Sequence, residues 1–226
     1  QSEAIFQEQA QAFEDMKELD RAKDSLVNTI SHELRTPLTT ILGYLEMASE
    51  GMYGDTSPKL KDKMQAMVDS VNRINALVGK MLEMSRLQDG TLTLDIEPVN
   101  LAMLTREVVK ELESEVSRRK HALTVTFGNE LPVVEADRLR MHDVVFNMVH
   151  NAVRYTEDGG KVAIGADILG GRVHIWVKDN GRGINEEDRK NIFDRFFLAD
   201  EGLVREDGRV GIGLYVSREI VRKHGG

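Results

Sequence analysis

One histidine in the sequence sits where packing does not explain it. His32 lies in Ser31-His32-Glu33-Leu34-Arg35-Thr36-Pro37-Leu38, inside a stretch that reads as helix. At about 100° per residue, His32 points roughly 160° away from Ile30 and Leu34, which belong to the apolar stripe. Pro37 removes an N–H from the helix interior and frees the carbonyl of Glu33, four residues back, which bends a helix beside the histidine. Two departures from good helix design so close together point to chemistry rather than packing. A neutral imidazole can attack phosphorus in line, provided its second ring proton has somewhere to go. Glu33, adjacent in sequence, can take that proton or hold the tautomer. Thr36, about one turn from Glu33, can orient a water for the reverse hydrolysis. A lone outward histidine is usually inert; Glu33 and Pro37 bring the two readings level.

Three later segments carry residue types that suit a nucleotide. In Asn147-Met-Val-His-Asn151-Ala-Val-Arg154-Tyr155-Thr156 the two asparagines are four apart on a helix and share a face. That geometry suits hard-oxygen ligation of Mg²⁺, and Arg154 on a neighbouring turn can meet phosphate. In Val177-Lys178-Asp179-Asn180-Gly181-Arg182-Gly183-Ile184 a strand runs into a glycine turn. A carboxylate at the strand end, Asp179, can accept the exocyclic amine of adenine, while Gly181 and Gly183 let the backbone approach the ring. In Gly208-Arg-Val-Gly211-Ile-Gly213-Leu214 glycines precede a helix whose free N–H groups can face phosphates. The cluster Phe193-Asp-Arg-Phe196-Phe197 reads as a hinge for a lid, or as core. Taken singly, each has a bland alternative: capping asparagines, an ordinary Asp-Asn-Gly turn, a glycine loop. Only together do they specify a site.

The elements that must position these residues fall into three parts. Residues 1–51 contain no proline before Pro37 and no glycine before Gly43, which predicts one long helix. Residues 1–24 are polar, with Phe6 and Phe13 in one heptad frame and Leu19 and Leu26 in another, so they read as a stuttered coiled coil or a solvated helical linker. Over residues 25–90, Leu26, Ile30, Leu34, Leu38, Ile41 and Leu45 form one stripe. Leu60, Met64, Met67, Val71, Ile74, Val78 and Met81 form the other, across the turn at 51–58. Such a pair makes an antiparallel hairpin with apolar surface left over, and pairing two hairpins into a four-helix bundle covers it. A homodimer is therefore expected. From residue 91 the pattern mixes strands and helices: strand over 91–96, helix over 101–120, strands near 121–127 and 133–134, helix over 137–155. A hairpin at 161–178, a short helix over 186–193 and a last helix from Gly213 follow. This predicts an α+β chain whose C-terminal part is a two-layer α/β sandwich with mostly antiparallel strands.

Composition limits what such a chain can do. A net charge of −8 argues against a general nucleic-acid or anionic-membrane binder, so any phosphate site is local. The absence of cysteine removes disulfides and thiolate metal sites, and it fits a reducing, cytoplasmic setting. No apolar run approaches the roughly 20 residues of a membrane span. Both ends look cut, so a membrane anchor or sensor would belong to parts outside this sequence.

Together the segments resemble the histidine kinases of two-component signalling, from about residue 25 onward. SHELRTPL is similar to that family's phosphoacceptor box, NMVHNAVRYT to its N box, DNGRGI to its first glycine box, FDRFF to its F box and GIGL to the end of its second glycine box. The resemblance implies a dimerising phosphoacceptor hairpin over 25–90 and, over 91–226, an ATP-binding domain of the GHKL (Bergerat) type that is incomplete at its C-terminus. It implies phosphorylation of His32 with Glu33 as base partner, and Thr36 supporting phosphatase activity toward a response regulator, whose receiver-domain aspartate takes the phosphoryl group. It implies Mg²⁺-ATP held by Asn147 and Asn151. Arg154, Tyr155, Asp179, Gly181, Gly183, Ile184, Gly211, Gly213 and Leu214 would complete the pocket. The sequence departs from the family where Arg209 and Val210 replace a usual glycine and threonine, and where Leu198 replaces a frequent basic residue; Arg205 or Arg209 is the substitute cation. Two other readings compete. One is an ATP hydrolase of the same superfold, which Asn147 opposes because those enzymes place a glutamate there. The other is a degenerate kinase acting as a dimeric scaffold.

Overall fold

Pro37 does not end the helix it interrupts. In this computed structural model, which describes residues 30–31, 33–54, 56–128, 131–198 and 211–226, helix α1 covers the described residues of 30–49. The hydroxyls of Thr39 and Thr40 donate to the carbonyls of Arg35 and Thr36, at 2.9 and 3.1 Å, on the turn that contains the proline. His32, the expected coiled coil of residues 1–24, and Arg205, Gly208, Arg209 and Val210 of the glycine loop lie outside the described residues. Helix α2, Pro58–Gln88, starts at Ser57, whose hydroxyl accepts from the Leu60 N–H, with Pro58 in the first turn where its missing N–H costs nothing. It ends in left-handed Gly90 (φ +67°), after which the Leu92 N–H returns to the Arg86 carbonyl at 3.0 Å.

Both helices belong to one compact unit, Gln1–Leu92. Each expected stripe divides into a buried and an exposed set. Met64, Val71 and Val78, seven apart, are buried, as is Leu38 on α1. Leu60, Met67 and Ile74, also seven apart, are 48, 54 and 42% exposed, and Ile30, Leu34 and Ile41 are exposed too. A hairpin buries one line of residues within itself and leaves the other facing out.

The second unit, Thr93–Gly226, holds the strands. Strand β1 (Ile96–Val99) pairs antiparallel with β3 (Val134–Asp137), Ile96 opposite Asp137 and Val99 opposite Val134. A second sheet has the order β2-β4-β5, from Ala122–Phe127, Lys161–Leu169 and Arg172–Asp179. Strands β4 and β5 form the expected antiparallel hairpin about Gly170 and Gly171, both at positive φ. Strand β2 pairs with β4 in parallel, Ala122 opposite Lys161, so the chain crosses over between them through β3 and helix α5. Helix α5, Arg138–Tyr155, buries Met141, Val144, Val145, Val149, Ala152 and Val153, a stripe at helical spacing. It packs between α3 (Leu101–Glu111) and α7 (Gly213–Lys223), and against β4 and β5. Val162 and Ile164 of β4, at 1 and 0% exposure, form the sheet side of that core.

Three expected elements are placed differently. The strand expected at 91–96 begins at Ile96: its alternation mimics a strand, but residues up to Leu92 are spent closing the end of α2, and β3 reaches only 96–99. The helix expected at 101–120 is broken at Leu112 (ψ 1°) into α3 and α4 (Glu113–Arg118), with the Leu112 side chain buried. The helix expected at 186–193 is only the turn α6, Glu186–Arg189, capped by Asn185. Consecutive short turns follow it to Phe196, which takes φ +60°.

Asp137 joins four of these elements at the start of α5. One carboxylate oxygen accepts from the Arg140 N–H and the other from the Asp95 N–H, both at 3.0 Å. Its own N–H donates to Nε2 of His224 at 2.9 Å. A backbone N–H can only donate and the Ile220 carbonyl can only accept, so the His224 proton is on Nδ1, 2.8 Å from that carbonyl. Burial alone would push the Asp137 carboxyl up. The two N–H groups, with the charge of Arg140, outweigh it and hold the carboxyl below the ordinary 3.8. Asp137→Ala should therefore cost about 2 kcal/mol at neutral pH. A depressed folded-state pKa gives stability that is complete above 3.8 and lost as pH falls through the folded value, so the deficit should shrink in acid. Denaturation followed by fluorescence of Trp176, the chain's single tryptophan, checks this; a deficit independent of pH would contradict it.

Candidate functional site

The last turn of α5 carries Asn151, Ala152 and Tyr155, and its carbonyls are satisfied from three directions. Thr156 N–H returns to Ala152 at 3.2 Å, the Arg119 guanidinium reaches Val153 and Arg154, and Arg182 N–H donates to Tyr155 at 3.4 Å. The glycine turn after β5 is drawn close by this last bond. A Cβ on Gly181 would stand 2.4 Å from the Tyr155 carbonyl oxygen, so no other residue fits without displacing backbone. Asp179, at the end of β5, accepts from the Gly181 N–H at 2.9 Å with one carboxylate oxygen, fixing the turn. The Arg182 guanidinium lies 4.9 Å above the Tyr155 ring.

The other wall comes from the start of α7. No side chain among the described residues caps this helix, and the N–H groups of a first helical turn suit an anion. Gly211 (φ +66°) passes so near the F-box backbone that a Cβ there would meet the Phe197 carbonyl oxygen at 2.4 Å. The Phe196 N–H donates to the Gly211 carbonyl at 3.1 Å, which ties the aromatic cluster to the segment just before α7. Tyr215 is buried, with Arg195 and Arg218 over its ring at 5.1 and 5.5 Å.

Between these walls lies a cavity of 480 Å³, a size suited to a small organic ligand. Of the residues expected at the site, Asn151, Tyr155, Asp179, Gly183, Ile184 and Leu214 line it. Gly181, Gly211 and Gly213 shape it from behind through their close approaches. Asn147 is turned toward α7: its amide donates to the Ser217 hydroxyl at 3.0 Å, and its oxygen would stand 2.5 Å from a Cβ on Gly213. Arg154 is half-buried on the same turn and is not a lining residue. Glu33 and Thr36 are both exposed on α1, in the other unit.

The sequence reading missed several lining residues, among them Met148, Ala152, Val177, Arg182 and Arg189. Met148 could have been found, because it lies three before Asn151 and seven before Tyr155, on one face of α5. Arg182 stands between the two glycines already singled out. Arg189 carries no such signal.

Two family models match the chain. "His Kinase A (phospho-acceptor) domain" matches residues 22–90, and "Histidine kinase-, DNA gyrase B-, and HSP90-like ATPase" matches residues 136–226. The chain belongs to the histidine kinase family. This histidine kinase is 29% identical over 207 residues to the circadian input-output histidine kinase CikA of Synechococcus elongatus, which covers 91% of this chain and 28% of that protein. It is 29% identical over 208 residues to the sensor protein SrrB of Staphylococcus aureus, covering 92% and 35%. The chain thus spans about a third of the length of these relatives. Among solved structures, full-length ShkA in complex with AMPPNP superposes with a TM-score of 0.76 at 26% identity, covering 89% of this chain and 41% of that one. The histidine kinase ThkA in complex with the response regulator TrrA gives 0.53 at 29% identity, covering 77% and 50%. The kinase has no helix, among its described residues, long and apolar enough to cross a membrane.

Proposed function

We propose that this chain transfers the γ-phosphoryl group of ATP to His32 and then to an aspartate of a response-regulator receiver domain. The observation that carries the reading is the single cavity that gathers Asn151, Asp179, Gly183 and Leu214, drawn from three separate sequence boxes. Asp179 keeps a second carboxylate oxygen for the adenine amine, and Ile184, Ala152 and Val177 offer the ring an apolar surround. Leu214 brings the start of α7 to the phosphates, and Arg182 and Arg189 are cations lining the same cavity. Asn151 in the cavity wall would offer the hard amide oxygen that Mg²⁺ prefers, with Asn147 one turn before it as the second candidate once its side chain turns from Ser217, and the ion when bound would neutralise phosphate charge.

In the transfer, a His32 ring nitrogen forms a bond to the γ-phosphorus as the bond to the β-bridging oxygen breaks and ADP leaves. Glu33 takes the remaining ring proton. Residues 25–90 thus carry the acceptor, 91–226 the donor, and 1–24 the incoming signal helix. Thr36, exposed one turn beyond Glu33, orients the water that removes the phosphoryl group from the regulator. The pairing of ThkA with a response regulator in a solved complex supports a partner of that class.

A second copy of the chain covers the exposed line Leu60, Met67 and Ile74, whose heptad spacing matches a four-helix seam. Ile74→Asp should turn a dimer into a monomer in sedimentation; a monomeric wild type would remove this part of the reading.

Incubation with γ-labelled ATP and Mg²⁺ tests the reaction. Acid-labile label should appear on the wild type and be lost in His32→Gln. Thr36→Ala should keep the label but slow regulator dephosphorylation by about tenfold or more. Label that persists in His32→Gln would defeat the assignment.

A further inference from the structure

Arg119 lies outside every box described above, in the corner between α4 and β2. Its guanidinium nevertheless spans to the end of α5. One terminal nitrogen donates to the carbonyls of Val153 and Arg154, at 2.7 and 2.6 Å, and Nε pairs with Asp158 at 2.9 Å. The side chain is 25% exposed, whereas Asp158 is 72% exposed, so the carbonyl contacts are the sheltered ones. A cation at a helix C-terminus is favourable, and two carbonyls held by a charged donor make stronger bonds than neutral ones.

The corner that presents Arg119 is itself fixed. Lys120 takes φ +55°, its N–H returns to Ser117, and the His121 N–H returns to Val116. On either side of the guanidinium the corner grips the loop after α5. Gly159 N–H donates to the Arg119 carbonyl at 2.9 Å, Nε2 of His121 to the Glu157 carbonyl at 3.1 Å, and Ala122 N–H to the Gly160 carbonyl at 2.9 Å. The turn of helix held in this way is the one that presents Asn151, Ala152 and Tyr155 to the cavity.

We propose that Arg119 is a positioning residue that sets nucleotide affinity by fixing the last turn of α5. Without it, the Val153 and Arg154 carbonyls lose their donor. The turn then frays toward water, and Asn151 and Tyr155 are no longer held where the cavity needs them. The inference rests on the nucleotide-binding reading and adds to it a residue that never touches the ligand.

The test measures the affinity of the full chain for a fluorescent ATP analogue, in Mg²⁺, at a temperature where every variant is folded. Arg119→Gln should raise Kd at least tenfold. Arg119→Lys, which can still offer one cation to both carbonyls but loses Asp158, should fall between it and the wild type. Asp158→Asn should raise Kd by no more than about threefold, as expected for an exposed pair. An Arg119→Gln affinity within twofold of wild type would overturn the proposal. So would a loss that tracks only the unfolded fraction and disappears on cooling. Failure of the wild type to bind would instead defeat the nucleotide reading itself.

Discussion

The carbonyls at the end of an α-helix need donors that the helix cannot supply, and the site depends on how α5 meets that requirement. Ala152 is answered by Thr156 just past the helix end, Val153 and Arg154 by a guanidinium more than thirty positions earlier, and Tyr155 by the glycine turn of β5. Each answer brings a different part of the chain to one place. The Arg182 bond brings Asp179 and Gly183 beside Tyr155, which makes one wall of the cavity. The Arg119 bonds hold that wall from behind. At the opposite end of α5, Asp137 joins β1, β3 and α7 through Asp95 and His224. The helix is pinned at both ends by groups from distant sequence.

Under the proposed function, the binding residues and the reacting residues belong to different units. The cavity belongs wholly to the second unit, whereas Glu33 and Thr36 are exposed on a helix of the first. The proposed transfer calls for a donor pocket whose own residues fix its shape, and the lining of this cavity comes from the second unit. Gly181, Gly211 and Gly213 help to fix that shape. Each lets two backbones, or a backbone and an amide, approach more closely than a Cβ permits. Phosphoryl transfer in general rests on positioning and charge.

Much of this was legible locally. The limits of α5, the start of α7 and the β4–β5 hairpin followed from helical spacing and paired glycines, which act within a few residues. Asn151, Asp179 and Leu214 were legible because their boxes carry their own chemistry. What could not be read depends on long-range partners. The run at 91–96 alternates like a strand, yet strand structure starts only where β3 offers a ladder. Leu112 carries no breaker, yet the helix yields there so that its side chain can be buried. The parallel pairing of β2 with β4 is set by a crossover, not by either strand. Arg119 looked like one of several basic residues at a helix end until the fold brought α5 to it, and the amide of Asn147 turned toward Ser217 for the same kind of reason.

Amide hydrogen exchange at the end of α5 tests this most directly. If the last turn is held from outside, the Thr156 and Arg182 amides should exchange as slowly as that of Val149 in mid-helix. Their exchange should rise with denaturant just as steeply, since opening would need the whole unit to unfold. Exchange of Thr156 and Arg182 that is fast and indifferent to denaturant would mean a frayed end, and the account of how this kinase builds its pocket would be wrong.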